Sequence, residues 1–309
     1  MTQPLDFTIP VDPLNPPPSR AALPDPLKAK LTDDVADAVR ALPIYYASTT
    51  AIEGLESGDL FSLNSVLGGS IENQVVATLN RIRKVWDPDD QWTEYGFERS
   101  SQTFPDVRLV SRSGGQLSVA MGIELKGWYL LSREKEPSFR YTVTPDACSP
   151  YDLLVVVPWH LTNVLSGVPR VYEPYIEQAR YAAEFRNHYW QHQRGVAAPD
   201  NGITSPAGAQ PYPPPKAKVS DKADKDSGGN FGRVARVHGL MEDYSERMLQ
   251  TKVSGIEAGH WVSFFRVYAD NHDRDTIDAR IDRLVGRQAA AASPRVRELV
   301  KELGRLLGD

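Results

Sequence analysis

The chain has 309 residues, room for one large domain or for a core with an appended helical piece. Its 35 Lys and Arg against 40 Asp and Glu leave a formal net charge of −5, which excludes a polycation that coats nucleic acid by bulk charge but leaves room for a local basic groove. A single cysteine, Cys148, excludes an internal disulfide and any multi-cysteine zinc site, and it reads as a small core residue in a reducing compartment.

Residues 1–26 carry eight of the 24 prolines, Pro16-Pro17-Pro18 among them, and predict an extended arm laid across a neighbour. Over 27–42, Leu27, Leu31, Val35, Val39 and Leu42 recur at helical spacing, and Pro43 stops that helix. A second helix is predicted from Ser70, read as its N-cap, to Lys84, with Ile71, Val75, Val76 and Leu79 in one stripe and Glu72 in its first turn. Residues 92–132 form a strand region. Tyr151 to Val157 is apolar without alternation after Asp152, as in a strand buried on both faces at the centre of a sheet. A helix is predicted over 173–193, with Tyr175, Ile176, Ala179, Ala182, Ala183 and Tyr189 along one side. Residues 195–231, rich in Pro, Gly, Ser, Lys and Asp, read as a flexible linker or long mobile loop. The remaining part, 232–309, reads as mostly helical. It holds a strand candidate at 261–267, a helix at 275–289, and a last helix at 293–307 with Ser293 as N-cap, Pro294 at N1 and a leucine-rich stripe. No apolar run reaches the length of a membrane span, and the polar, Pro-rich start does not read as a signal peptide, so the expected location is cytoplasmic.

The chemistry concentrates in two segments within 92–132. The first is Phe104-Pro105-Asp106-Val107-Arg108-Leu109 and the second is Met121-Gly122-Ile123-Glu124-Leu125-Lys126. Between them Ser111-Arg112-Ser113-Gly114-Gly115-Gln116 reads as a hairpin turn, because Gly tolerates positive φ. Side chains alternate along a strand, so Leu117, Val119, Met121, Ile123 and Leu125 share an apolar face, while Glu124 and Lys126 share the other, about 7 Å apart at Cα. Val107 and Leu109 take the core face of the first strand, which puts Asp106 and Arg108 beside Gly122 and Glu124. The apolar alternation pins this register, since a slip by one residue turns every side chain over. Two carboxylates and a lysine on one face can hold a divalent metal and a water. The small Ala120 and Gly122 beside them read as room kept for a ligand; an exposed strand with an ordinary surface Glu–Lys pair is the alternative.

This order, Pro-Asp, a hairpin-length gap and then Glu-x-Lys, resembles the PD-(D/E)xK nucleases, the restriction-endonuclease-like superfamily, over roughly residues 70–190. Glu124-Leu125-Lys126 is the chain's single Glu-x-Lys or Asp-x-Lys, whereas Pro-Asp also occurs at Pro88-Asp89, Pro145-Asp146 and Pro199-Asp200. The resemblance implies an α/β fold with an αβββαβ core, a mixed central sheet flanked by helices, extended here by the N-terminal arm and C-terminal helices. The catalytic core would span 27–194, and 232–309 would serve DNA recognition or dimerisation.

The implied activity is Mg2+-dependent hydrolysis of DNA phosphodiester bonds, most like a type II restriction endonuclease. Asp106 and Glu124 would hold the Mg2+ with the Leu125 backbone carbonyl, and Lys126 would orient or deprotonate the attacking water or hold the phosphate, its pKa lowered by burial and the metal. Glu72 stands where relatives often add a further carboxylate from the preceding helix; the alternative is a helix-dipole partner. Gln178 and Tyr181 sit one residue too close for the spacing found in recombination-type relatives. Asp152 reads as a strand-end cap or a residue behind the site, and His188 with His192, spaced i, i+4, as a weak metal candidate. Arg81, Arg83, Lys84, Arg133, Lys135 and Arg140 are candidate phosphate contacts, each set equally at home on a solvated face. The implied partners are double-stranded DNA, a second copy in a homodimer matching a palindromic site, and a separate cognate methyltransferase. Three other readings stay open: a structure-directed repair, recombination or phage nuclease, a DNA-binding protein that keeps the fold without catalysis, and a protein unrelated to nucleic acid in which the motif is accidental.

Overall fold

The structure is a computed structural model that describes residues 15–55, 62–100, 103–194, 202–269 and 279. The predicted helices at 275–289 and 293–307 lie outside the described residues, apart from helical Ala279. Helix α1 (Pro26–Arg40) starts where the sequence places a cap: the Asp25 carboxylate accepts from the backbone N–H of Leu27 and Lys28 at 2.9 and 3.3 Å, and Pro26 sits at its first position. Leu31, Val35 and Val39 of the predicted stripe are buried, but Leu27 is exposed. Pro43 does not end the helical path. It sits in the opening turn of a short second helix, α2 (Leu42–Tyr45).

Helix α3 (Leu63–Arg81) begins seven residues before the predicted Ser70 cap. Its stripe of Ile71, Val75, Val76 and Leu79 is buried as expected, but Glu72 lies at mid-helix, so the dipole explanation for it falls away. Gly68 and Gly69 lie inside the helix. A Cβ on Gly127 would lie 3.8 Å from the Cα of Gly68, which marks a close helix–sheet crossing. A short turn of helix, α4 (Arg83–Trp86), follows and packs on α1.

The sheet runs in the order β1 (Gly96–Arg99), β2 (Val107–Ser111), β3 (Ser118–Tyr129), β4 (Leu153–Asn163), β5 (Ser166–Val171). Strands β1, β2 and β3 form an antiparallel meander, and the β2–β3 turn uses Gly114 and Gly115 at φ 65° and 77°. Strands β3 and β4 are parallel, and β4 is buried from Leu153 to Leu161, as its unbroken apolar run predicts. Strand β6 (Tyr175–Gln178) pairs with the first half of β4 and β5 with the second. They are two halves of one antiparallel return, interrupted at Glu173-Pro174.

That pairing overturns the predicted helix over 173–193. Tyr175 and Glu177 are buried and alternate with half-buried Ile176 and Gln178, because the open edge of β4 needs a hydrogen-bonding partner there. The helix α5 (Ala179–His188) starts only at Ala179 and ends in one wide turn, Tyr189–Gln193. The expected helix between the third and fourth strands is also missing: among the described residues, 130–152 hold only the short turn Pro145–Ala147. What the chain forms is a mixed α/β architecture, a mixed sheet flanked by helices.

Residues 202–231 are not a linker. They are a long irregular segment tied to the core, with a two-residue ladder of β7 (Ile203–Thr204) and β8 (Lys222–Ala223) and with Pro213, Asp221 and Phe231 buried. Beyond them come α6 (Glu242–Leu249), the small ladder β9 (Lys252–Val253) with β10 (Ile256–Glu257), and α7 (Ala258–Ala269). The strand expected at 261–267 is thus helix. Ala258, Val262 and Phe265 are its buried positions, spaced i, i+4, i+7, a helical period hidden beneath aromatic residues that favour strands. Among the described residues no helix is long and apolar enough to cross a membrane.

Candidate active site

The antiparallel register Val107↔Ile123 and Arg108↔Gly122 puts Asp106, just before β2, opposite Glu124 of β3. Lys126, two residues on along the same face, aims its ammonium between them. Its Nζ lies 2.6 Å from Asp106 Oδ2 and 2.9 Å from Glu124 Oε1. The Asp106 backbone N–H donates to Glu124 Oε2 at 3.3 Å. The three side chains expected from the sequence therefore meet at one point, at the solvent margin of the sheet, with 28%, 11% and 23% of the Asp106, Glu124 and Lys126 side chains exposed.

One ammonium facing two carboxylates leaves negative charge in surplus. Burial pushes the Glu124 carboxyl up to about 7; Lys126 opposes that rise and the charge of Asp106 adds to it. Burial works to lower the Lys126 ammonium, but the carboxylates of Glu124 and Asp106 outweigh it and hold it above its ordinary value. The two directions agree: Lys126 stays charged, and its charge is too little for both partners. In this arrangement Lys126 is a cation and hydrogen-bond donor.

Helix α3 brings Glu72 beside this group. Burial raises its carboxyl, with Lys126 lowering and Asp106 raising it, and Arg99 and the Gly127 backbone N–H lowering it further. Its Oε2 accepts from Arg99 Nη2 at 2.9 Å. Among the described residues no three His, Cys, Asp or Glu side chains stand close enough to share a metal ion. Glu72 is therefore an electrostatic neighbour of the Asp106–Glu124 pair and not a third member of it. The donor set itself fits a hard divalent cation. Two carboxylates converge on one point already held by a cationic group, and among the described residues the ion pairs of Asp106, Glu124 and Glu72 are made with Lys126 and Arg99. Leu125, whose backbone carbonyl was the third expected ligand, lies between Glu124 and Lys126, paired with Val155 of β4, its side chain buried.

The space beside Gly122 is not kept for a ligand. A Cβ there would run into the Pro105 ring and stand 2.9 Å from Asp152 Oδ1, so Gly122 is what lets the Pro105-Asp106 segment press onto β3. Asp152 is wholly buried and gathers three donors: the N–H of Gly122 at 2.7 Å, the N–H of Ser149 at 2.8 Å and the Tyr212 hydroxyl at 3.0 Å. Burial nonetheless raises its carboxyl to about 6, against those hydrogen bonds. It ties the entrance of β4, the middle of β3 and the 202–231 segment together behind the site. Arg108 donates to the carbonyls of Phe104 and Pro213, clamping the same segment from the other side.

Of the six candidate phosphate contacts, the side chains of five are engaged within the chain. Arg81 donates to the Tyr45 carbonyl, Arg83 to those of Trp92 and Tyr95, and Lys84 pairs with Asp90. Lys135 donates to Ser263, Arg140 to Asp226 and the Phe231 carbonyl, and the Arg133 carbonyl accepts from Arg266. Gln178 ends β6 and is not in a helix, and His188 donates to the Asn15 carbonyl. Sequence reasoning missed Arg99 and Tyr212. Arg99 has a local signal, since it ends the strand antiparallel to the one that Asp106 precedes. Tyr212 has none, because it reaches Asp152 across 60 residues of chain.

Scans of the chain against protein-family models, curated proteins and solved structures found no match in any of the three.

Proposed function

We propose that this protein is a Mg2+-dependent endodeoxyribonuclease of the PD-(D/E)xK type, a site-specific type II restriction endonuclease in its specific form. The observation that carries the reading is the meeting of Asp106, Glu124 and Lys126, donated by the start of one strand and the body of its neighbour, within hydrogen-bonding distance of one another. Three features support it further. The cluster lies at the solvent margin, its charge is unbalanced toward negative, and Asp152 with Gly122 fixes its backbone from behind.

In this reading Asp106 and Glu124 would hold the metal ion, which when bound would supply an activated water and offset charge growing on the phosphate. Asp106 is kept in place by the Pro105–Gly122 contact and by its own N–H on Glu124. Lys126, held protonated, donates to a non-bridging phosphate oxygen and stabilises the charge that develops there. Arg99 holds Glu72 in place beside them, so that Glu72 adds negative potential at the cation site. Double-stranded DNA is the proposed substrate, and cutting both strands at one site calls for two copies of the site, hence a homodimer.

The test is incubation of the protein with supercoiled plasmid and Mg2+. Discrete fragments mean site-specific cutting. A smear means a nuclease that reads structure and not sequence, and it would replace the restriction assignment. No cutting, with or without a retained band shift, sinks the catalytic reading. Asp106→Asn is expected to abolish turnover and weaken metal binding, read by titration of Mn2+.

A further inference from the structure

Beside the C-terminal end of α5 lies a cavity of about 150 Å3. Its wall carries four arginines, Arg186, Arg194, Arg233 and Arg236, together with Trp190, and no carboxylate. Arg186 is neutralised by Asp221 at 2.6 Å and Arg236 by Glu136. Among the described residues Arg194 and Arg233 meet no acidic partner. Arg194 lies flat over the Trp190 ring, its Cζ 3.8 Å from the centroid, and Arg233 Nε makes one long bond of 3.4 Å to the Gly229 carbonyl.

A buried donor stands beside the cavity. Trp190 is only 4% exposed, yet its indole N–H finds no acceptor among the described residues. A buried donor left unpaired costs about 1–3 kcal/mol, so such donors are normally satisfied. Both walls are held fixed. Arg186 is locked by the carbonyls of Tyr141 and Val143, and the turn carrying Arg233 and Arg236 is anchored by buried Phe231 and Val234. Among the described residues the cavity thus presents two guanidinium groups without an acidic partner, beside a buried indole N–H without an acceptor. A guanidinium fork matches two oxygens of a tetrahedral oxyanion, and the volume falls below the roughly 300–1,000 Å3 of pockets that enclose whole organic ligands.

We propose that this cavity binds a single phosphate group, either the terminal phosphate of a nucleotide or strand end or a backbone diester of a nucleic-acid strand. None of Asp106, Glu124 and Lys126 lines it, so this site and the nuclease reading can each fail without the other.

The full-length protein, in EDTA to prevent cutting, is titrated with inorganic phosphate, with a 5′-phosphorylated oligodeoxynucleotide and with the same oligonucleotide bearing a 5′-hydroxyl, and binding is read by calorimetry and tryptophan fluorescence. Binding of the first two but not the third assigns a terminal phosphate. Binding of the 5′-hydroxyl strand, with its salt slope reduced by about two in the double variant Arg194→Gln Arg233→Gln, assigns the backbone. In either case the double variant should bind its ligand at least about tenfold more weakly, the scale of losing one charged hydrogen bond. Trp190→Phe, which removes the indole N–H and part of the ring beneath Arg194 while keeping both arginines in the chain, should also weaken binding. It secures the test if the double variant folds poorly, as does stabilisation of the parent by phosphate over chloride at equal ionic strength. No saturable binding of any of the three ligands, or equal affinity in parent and variants, overturns the proposal.

Discussion

Two clusters of buried charge flank Tyr141, and they are built on opposite plans. On one side Arg186 and Asp221 are 1% and 0% exposed. The guanidinium also reaches the carbonyls of Tyr141 and Val143 and the Asn187 side chain, so one positive group faces one negative group inside a closed shell of acceptors. On the other side, beyond the contact of Tyr141 with Phe104, lies the Asp106–Glu124–Lys126 group. It is partly open and carries two carboxylates for one ammonium. A closed, balanced pair serves the fold, since leaving either member alone in the interior is expensive. An open, unbalanced cluster leaves charge to be completed from solution, by a proton on Glu124 or by a cation, and so marks a candidate site.

The sharpest way to break this contrast is Lys126→Ala. If the open cluster is catalytic, plasmid cutting should fall by about 10^3-fold or more, roughly 4 kcal/mol in the barrier, with the band shift on DNA retained. Undiminished cutting would remove the cluster from the chemistry. Asp221→Ala tests the other side: it strands Arg186 in the interior and should cost about 3–5 kcal/mol in urea unfolding. The matching change in the open cluster, Asp106→Ala, should cost about 1 kcal/mol or less, because Lys126 keeps Glu124 as its partner and water reaches the gap. Equal losses in the two would erase the distinction.

A pH series sharpens the comparison further. The native Glu124 carboxyl holds its proton up to about 7, whereas the unfolded chain releases it near 4.5. Between those values the native state binds more protons, so this contribution to stability is complete below the lower value and is lost as pH rises through the higher one. Asp152, raised to about 6, declines in the same direction, so the informative quantity is the difference between parent and variant. Glu124→Gln should flatten the decline and exceed the parent in stability at pH 8 by about 1–3 kcal/mol. Identical slopes would mean that the two carboxylates do not compete for Lys126. The smallest expected effect is that of Glu72→Gln. With Glu72 bound to Arg99 and outside the central pair, cutting should slow by less than about tenfold, or 1.4 kcal/mol. A complete loss would make Glu72 a direct ligand.

The centre of the candidate site was legible in the sequence because its geometry is local. Alternation decides which side chains share a face on each strand and the Gly114-Gly115 turn joins the strands, but the register then shifts by one residue between Leu109 and Val110, and that irregularity is what puts Asp106 opposite Glu124. The errors share another cause. Tyr175 to Gln178 reads as helix until the edge of β4 claims it as a strand, and Trp261 to Val267 reads as strand until its burial shows a period near four. The 202–231 segment has the composition of a linker, yet Tyr212 reaches Asp152 and Asp221 neutralises Arg186.

What the amino-acid order determined by itself was the meander that carries the site, the buried strand beside it, and three side chains converging on one face. These follow from periodicity and turn chemistry over a few dozen residues. Only the tertiary structure decided that Lys126 is held charged and Glu124 raised, that Gly122 makes room for Pro105 and Asp152, and that α3 sets Glu72 alongside. Desolvation and charge balance depend on which distant segments cover a group, and no local pattern encodes that.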